Sequence, residues 1–271
     1  MSRAIFHSNN RVGQEILIKT NITSGSTFDP GVTLVSGLDR VSWDLGNGII
    51  KATNSFSYTF AGDTGTTKTI KLKTNRFSKI YELQIASDEV VGNLDLSYFS
   101  NLGGRFTVVG NTNLTGLTHT YSTRDFTIYY AWVCNLTGTL DVSKLYGLGN
   151  EFWVQQNPNL TNIINPPSTK VYTKYYAYDC SLDYVDFNPL SGATFKNSVI
   201  YLQNNTMSAG DVNHILYDFK NITIANPTTW SGVTLAIGGN NQNPDSSSGG
   251  YDGLSYISTL IGSPYSWSIT Y

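Results

Sequence analysis

Charge is what this chain has least of. Asp, Glu, Lys and Arg make up 13% of its 271 residues, well below the roughly one quarter usual in globular proteins. The 17 Lys and Arg nearly balance the 19 Asp and Glu, for a net charge of −2. No basic run occurs, so no nucleic-acid partner is expected. No apolar stretch approaches the roughly 18 residues of a membrane span, so no membrane insertion is expected. Residues 1–10 lack an apolar h-region, so no secretory leader is expected either. Histidine is scarce: His7, His119 and His214, none with a metal-ligating partner three or four positions on. The chain has no H-E-x-x-H, G-x-S-x-G or P-loop signature. These absences predict no catalytic residue, metal or cofactor, and a protein that is not an enzyme.

Aromatics, by contrast, reach 13%, with 18 Tyr and 5 Trp. Gly, Ser, Thr and Asn are plentiful. This neutral, polar, β-rich composition suits an extracellular or virion surface. Without a leader, it suggests delivery by assembly into a phage particle and release by lysis.

The strongest pattern lies in residues 126–182. Phe126-x-x-Tyr129-x-Ala131-x-x-Cys134-x-Leu136 returns 46 residues on as Tyr172-x-x-Tyr175-x-Ala177-x-x-Cys180-x-Leu182. Both resemble the leucine-rich repeat template L-x-x-L-x-L-x-x-N/C-x-L, aromatics and Ala replacing some leucines. Further copies are Ile80-x-x-Leu83-x-Ile85, Phe106-x-Val108-x-x-Asn111, Phe152-x-Val154-x-x-Asn157, Ile200-x-Leu202-x-x-Asn205 and Leu235-x-Ile237-x-x-Asn240. Gly92-Asn93-Leu94-Asp95-Leu96-Ser97 also recurs 46 residues on, as Gly138-Thr139-Leu140-Asp141-Val142-Ser143. Residues 80–271 are therefore expected to form a solenoid of parallel strands. The paired apolar positions should face its core, because strand side chains alternate. The Asn or Cys after each strand should form a ladder through the turns. Connections such as Ser97–Gly104 and Ser143–Asn150 should be short helical turns or irregular coil, not long helices. Asp95, Asp141 and Asp186 hold one repeat position and read as turn or ladder residues rather than catalysts. Cys134 and Cys180 sit two repeats apart, roughly 10 Å at the strand spacing, beyond the ~7 Å reach of a disulfide. Both read as buried thiols.

Upstream, residues 1–10 read as an arm and residues 11–79 as a small antiparallel sandwich. Its strands are expected at Gln14–Asn21, Val32–Val35, Val41–Asp44, Ile49–Ala52, Ser55–Phe60 and Lys68–Lys73, punctuated by Ser24-Gly25-Ser26 and Asp29-Pro30-Gly31. Val41-Ser42-Trp43-Asp44-Leu45-Gly46-Asn47-Gly48 resembles the W-D-F-G-D-G motif of PKD-type immunoglobulin-like domains, with Asn47 for the second Asp. Ser57-Tyr58-Thr59-Phe60 and Thr69-Ile70-Lys71-Leu72 are similar to that family's later strands. The resemblance implies a spacer or binding module.

At the other end, Asn240–Asp252 reads as a plain flexible loop, with too little charge for a Ca²⁺ site. Leu254–Ile261 reads as a helix with Leu254, Ile257, Leu260 and Ile261 on one face, and Ser266–Tyr271 as a last strand. This helix–strand cap, and the order of PKD-like domain then repeats, resemble leucine-rich repeat proteins of Bacteroidota and their phages.

Function is expected on the concave side, where the residues flanking each inward pair point. Tyr130, Trp132, Trp153, Tyr176, Tyr178 and Tyr201 would place aromatics on four successive strands, spanning about 15 Å. Such a patch reads as a binding or assembly site; the bland alternative is mutual stacking across strands. The expectation is a virion-surface adhesin of tail or head fibre, binding a bacterial surface glycan or protein. The second reading is a capsid- or tail-decorating protein docked on other virion proteins. Either leaves oligomerisation and a bacterial cell-surface location open.

Overall fold

A computed structural model describes residues 14–22, 25–35, 41–61, 66–74, 77–86 and 90–271. The expectations for the arm of residues 1–10, with His7, and for Ser24 lie outside these residues.

The first region contains β1 (Gln14–Ile22), β2 (Thr27–Phe28), β3 (Gly31–Leu34), β4 (Ser42–Asp44), β5 (Ile50–Lys51), β6 (Tyr58–Thr59) and β7 (Thr66–Thr74). Four of these strands form an antiparallel sheet in the order β1-β7-β4-β5. Alternation decides which face is buried: Ile16 and Ile18 on β1 meet Leu72 and Ile70 on β7, and all four are buried. Trp43 anchors this core between Phe28 and Phe56, each with its ring centroid 5.9 Å away. Its indole N–H donates to the Thr53 carbonyl at 3.1 Å. β2 pairs with β6.

Downstream come β8 (Ile80–Gln84), β9 (Val91–Leu96), β10 (Gly104–Thr107), β11 (Asn113–His119), β12 (Phe126–Tyr130), β13 (Thr137–Asp141), β14 (Asn150–Trp153), β15 (Asn159–Ile164) and β16 (Tyr172–Tyr176). After them run β17 (Val199–Tyr201), α1 (Ala209–Ala225), β18 (Thr234–Ala236), α2 (Gly253–Ile261) and β19 (Ser268–Thr270). The chain winds as a β-solenoid of about five turns. One long sheet carries β8, β10, β12, β14, β16, β17, β18 and β19, all parallel. At its first edge β3 adds antiparallel, Val32 opposite Leu83. A strand expected inside the N-terminal sheet thus extends the solenoid instead.

The inward pairs lie where the repeat places them. Leu83, Phe106, Tyr129, Phe152, Tyr175, Ile200 and Leu235 are in register and buried, as are Ile85, Val108, Ala131, Val154, Ala177, Leu202 and Ile237 two residues on. Aromatics fill this column, with centroid distances of 4.9 Å for Phe106–Tyr129, 5.2 Å for Tyr129–Phe152 and 4.9 Å for Phe152–Tyr175.

The turn ladder is also present. The Asn157 amide donates to the carbonyls of Ala131 and Val154, both at 2.8 Å, and accepts from the Leu136 N–H. Asn111 and Asn205 make equivalent bonds. In the last coil Asn241 makes them, not the expected Asn240, which is exposed. Cys134 and Cys180 are free, buried thiols; Cys134 Sγ donates to the Val108 carbonyl of the preceding coil at 3.1 Å, and Cys180 Sγ to that of Val154 at 3.4 Å. Just before the ladder, the chain turns through a left-handed residue in each coil: Gly110, Val133, Gln156, Asp179, Asn204 and Gly239.

Three expectations need correction. Opposite the long sheet the connections hold more strand than expected, in two parallel pairs, β9 with β11 and β13 with β15. Asp95, Asp141 and Asp186 accept from the N–H two residues on and turn the chain out of these segments. α1 is a long helix inside a connection. A reciprocal capping box of Ser208 and Asp211 starts it, Val212, Ile215, Leu216, Phe219 and Ile222 bury one stripe, and Asn226-Pro227 ends it. α2 forms where the helix was expected and β19 within the expected last strand. On α2, however, Ile257 and Leu260 are buried whereas Leu254 and Ile261 are 44% and 52% exposed. The loop before α2 is fastened rather than free: the Asp245 carboxylate accepts from the N–H groups of Ser247 and Ser248, and from the Asn213 amide of α1 at 2.9 Å.

Candidate functional site: the outer face of the long sheet

Side chains between the inward pairs stand on the opposite face of the sheet in three rows. The first row is Arg105, Ile128, Glu151, Lys174, Val199 and Thr234. The second is Thr107, Tyr130, Trp153, Tyr176, Tyr201 and Ala236, by the same pairings. Trp132, Gln155, Tyr178, Gln203 and Gly238 form the third. Their carbonyls accept from the left-handed residue of the coil before, as from Val133 N to Gln155 O at 3.2 Å and from Gln156 N to Tyr178 O at 2.9 Å.

The second row is one continuous stack. Tyr130 and Trp153 lie 4.3 Å apart with planes at 22°, Trp153 and Tyr176 5.1 Å at 24°, and Tyr176 and Tyr201 4.7 Å at 8°. Tyr178 tilts against Tyr176 at 6.2 Å and stands edge-on to Tyr201 at 6.3 Å. Five of the six expected residues therefore form one cluster. Trp132 sits in the third row at the level of Gln155, without a ring contact among the described residues. Of the two readings of this patch, the mutual stacking across strands is present: both faces of Trp153 and Tyr176 are covered by neighbours, because parallel register brings like side chains together at the ~4.8 Å strand spacing. Edges and polar tips remain.

The first row supplies charges that the search for aromatics passed over. Glu151 accepts from the Tyr130 hydroxyl and from Lys174 Nζ at 3.0 Å. Lys174 Nζ also lies 5.0 Å from the Trp153 ring centroid, a cation–π distance. Burial alone would raise the Glu151 carboxyl. The bonds from Tyr130 and Lys174 outweigh it and hold the group below its ordinary value. Burial, and then the Glu151 carboxylate, push the Tyr130 phenol well up. The signal for this pair was readable two positions before Trp153 and Tyr176, since such residues share a face of the strand.

Several buried polar atoms of this face lack a hydrogen-bond partner among the described residues: Thr107 Oγ1, Trp132 Nε1, Trp153 Nε1, Gln155 Oε1 and Gln203 Oε1. Elsewhere, His119 and His214 pack against aromatic rings. His119 is buried against Tyr129. His214 on α1 lies flat between Tyr184 at 4.2 Å and Tyr251 at 4.4 Å. Among the described residues no three of His, Cys, Asp and Glu gather in a metal-binding group, and no helix is long and apolar enough to cross a membrane.

No protein-family profile, curated protein or solved structure matches this chain.

Proposed function

We propose that this chain is a non-enzymatic recognition protein that binds its partner through the outer face of the long sheet. The observation that carries this reading is the stacked series Tyr130, Trp153, Tyr176 and Tyr201 with unpaired polar atoms beside it. Tyr and Trp on a rigid sheet lose little conformational freedom on binding and offer polar tips, as recognition surfaces do. We place it on a virion surface as a tail- or head-fibre adhesin contacting a bacterial surface glycan or protein. The low charge and the resemblance to leucine-rich repeat proteins of Bacteroidota phages support that placement. On the same reading residues 11–79 are a PKD-like domain that spaces the solenoid from its attachment, and residues 80–271 are the recognition unit.

A second reading is a decorating protein docked on another virion subunit. The exposed pair Tyr121 and Tyr146, ring centroids 5.0 Å apart and away from the outer face, favours it. The test is a Trp132→Ala, Trp153→Ala double variant, confirmed folded by circular dichroism. Loss of host-cell binding with normal particle incorporation supports the adhesin. Unchanged cell binding refutes it. Loss of incorporation on Tyr121→Ser, Tyr146→Ser moves the protein to the docking role.

A further inference from the structure

We infer that the ligand of the outer face is an uncharged, hydroxyl-rich glycan chain lying across the strands along the second and third rows. This rests on the recognition role proposed for that face and names the chemistry it selects.

Four observations converge. The first concerns apolar area. None of Tyr130, Trp132, Trp153, Tyr176, Tyr178 and Tyr201 is among the exposed large apolar side chains, which lie elsewhere, at Tyr98, Tyr121, Val171 and Ile261 for example. A protein partner docks by burying aromatic anchors in desolvated contact, and here the ring faces within the stack from Tyr130 to Tyr201 are already covered by one another. Binding must come from hydrogen bonds and ring edges.

The second observation is the set of unpaired polar atoms. Thr107 is only 9% exposed and Gln155 only 4%, yet Oγ1 of the one and Oε1 of the other have no partner. Trp132 Nε1, Trp153 Nε1 and Gln203 Oε1 share that condition. A buried polar group left unpaired is costly, so a ligand that satisfies it gains affinity.

Third, the set mixes donors with acceptors. The indole N–H groups only donate and the amide oxygens only accept. A hydroxyl does both, so a single ligand chemistry meets every member. Phosphate or carboxylate would suit the indoles and be repelled by the amide oxygens.

Fourth, the second and third rows carry no charged side chain. The charges stand at the margins: Arg105, Glu151 and Lys174 in the first row, where Glu151 and Lys174 pair, and Asp179 beyond Tyr178, where it accepts from the Asn204 amide. The hydroxyls of Tyr176 and Tyr201 make no hydrogen bond among the described residues and extend the polar line. From Trp132 to Gln203 the row crosses three strand spacings, roughly 14 Å, which suits an extended chain.

The test is affinity electrophoresis of the full chain in gels containing dextran, mannan or galactan, and in parallel heparin or polygalacturonate. Retardation by at least one neutral polysaccharide and by neither acidic one is expected. Trp132→Phe keeps the ring and removes the N–H; Gln155→Leu keeps the volume and removes the acceptor. Each should weaken binding about tenfold, the value of one hydrogen bond, with an unchanged melting temperature as the control for folding. Three results would overturn the inference while leaving the face as the binding site. One is binding to acidic polysaccharides alone. Another is full affinity in both single variants. The last is host-cell binding that the Trp132→Ala, Trp153→Ala variant loses and protease treatment of the cells abolishes. If that double variant binds cells as well as the native chain, both readings fall.

Discussion

His119 and Tyr129 are joined by a 2.8 Å hydrogen bond between Nε2 and the phenolic oxygen, inside the solenoid. Forty-six residues on, the same place is taken by Asn165 and Tyr175, 3.1 Å apart. The longer repeat therefore conserves a buried phenol with a polar partner reaching in from the opposite side.

That pair predicts a pH dependence. Burial holds the His119 imidazole down at about 4, with Asp141 pulling weakly the other way, whereas an unfolded histidine titrates near 6.5. Below pH 6.5 the unfolded chain binds a proton that the folded chain refuses. The contribution is full above pH 6.5, falls as the pH drops, and is lost by about pH 4. The shift corresponds to about 3 kcal/mol. His119→Asn, which copies the Asn165 arrangement, should flatten this part of the profile. Urea unfolding of both proteins at pH 7 and pH 4.5 checks it; equal losses in the two would refute the assignment.

The Asn ladder predicts a graded series. Asn157→Ala strands the Leu136 N–H and the Ala131 and Val154 carbonyls in a buried turn, and should cost upward of about 3 kcal/mol, at 1–3 kcal/mol for each unpaired group. Asn157→Cys should cost clearly less, because Cys134 and Cys180 show that a thiol there still donates to the preceding coil. If the two variants unfold at the same urea concentration, the ladder bonds are not what holds these turns.

Much of this architecture was readable because its determinants are local and periodic. Tyr129 with Ala131 and Tyr175 with Ala177 mark the core face through strand alternation, and Asn157 and Cys134 mark the turn. The missed parts depend on partners distant in sequence. β9 and β11 become strands by pairing with each other, and Asp95 signals only the turn that follows them. α1 carried its own signal in Ser208, Asp211 and the stripe from Val212 to Ile222, which the repeat assignment overrode. At the outer face the residues were legible and their condition was not. Whether Trp153 shows a free face depends on Tyr130 and Tyr176 adopting the same side-chain orientation in the coils beside it. Glu151 and Lys174 are 23 residues apart and meet only through register.

The thiols should be inert in the native state. Burial raises Cys134 to about 11 and Cys180 to about 12, and the thiolate is the reactive form. At pH 8 neither should react with Ellman's reagent until the chain is unfolded in guanidinium, when both should react. Rapid labelling of folded protein would show that the turn ladder opens readily.

Val133 offers the last test, because it places a β-branched residue at φ +53° beside Trp132. A left-handed conformation costs an L-residue roughly 1–2 kcal/mol, and Val is among the least suited to it. The coil before it solves the same turn with Gly110, and the last coil does so with Gly239. Val133→Gly removes the strain and adds about 0.5–1 kcal/mol of chain entropy in the unfolded state, so a net gain of about 0.5 kcal/mol and a small rise in melting temperature are expected. Gly239→Ala should do the reverse, since its Cβ would stand 1.9 Å from Asn204 Oδ1 in the same left-handed turn. Calorimetry of the two variants reads both signs. A stabilised Gly239→Ala, or a Val133→Gly that loses more than about 1 kcal/mol, would mean that side-chain packing at this turn, and not backbone strain, sets its stability.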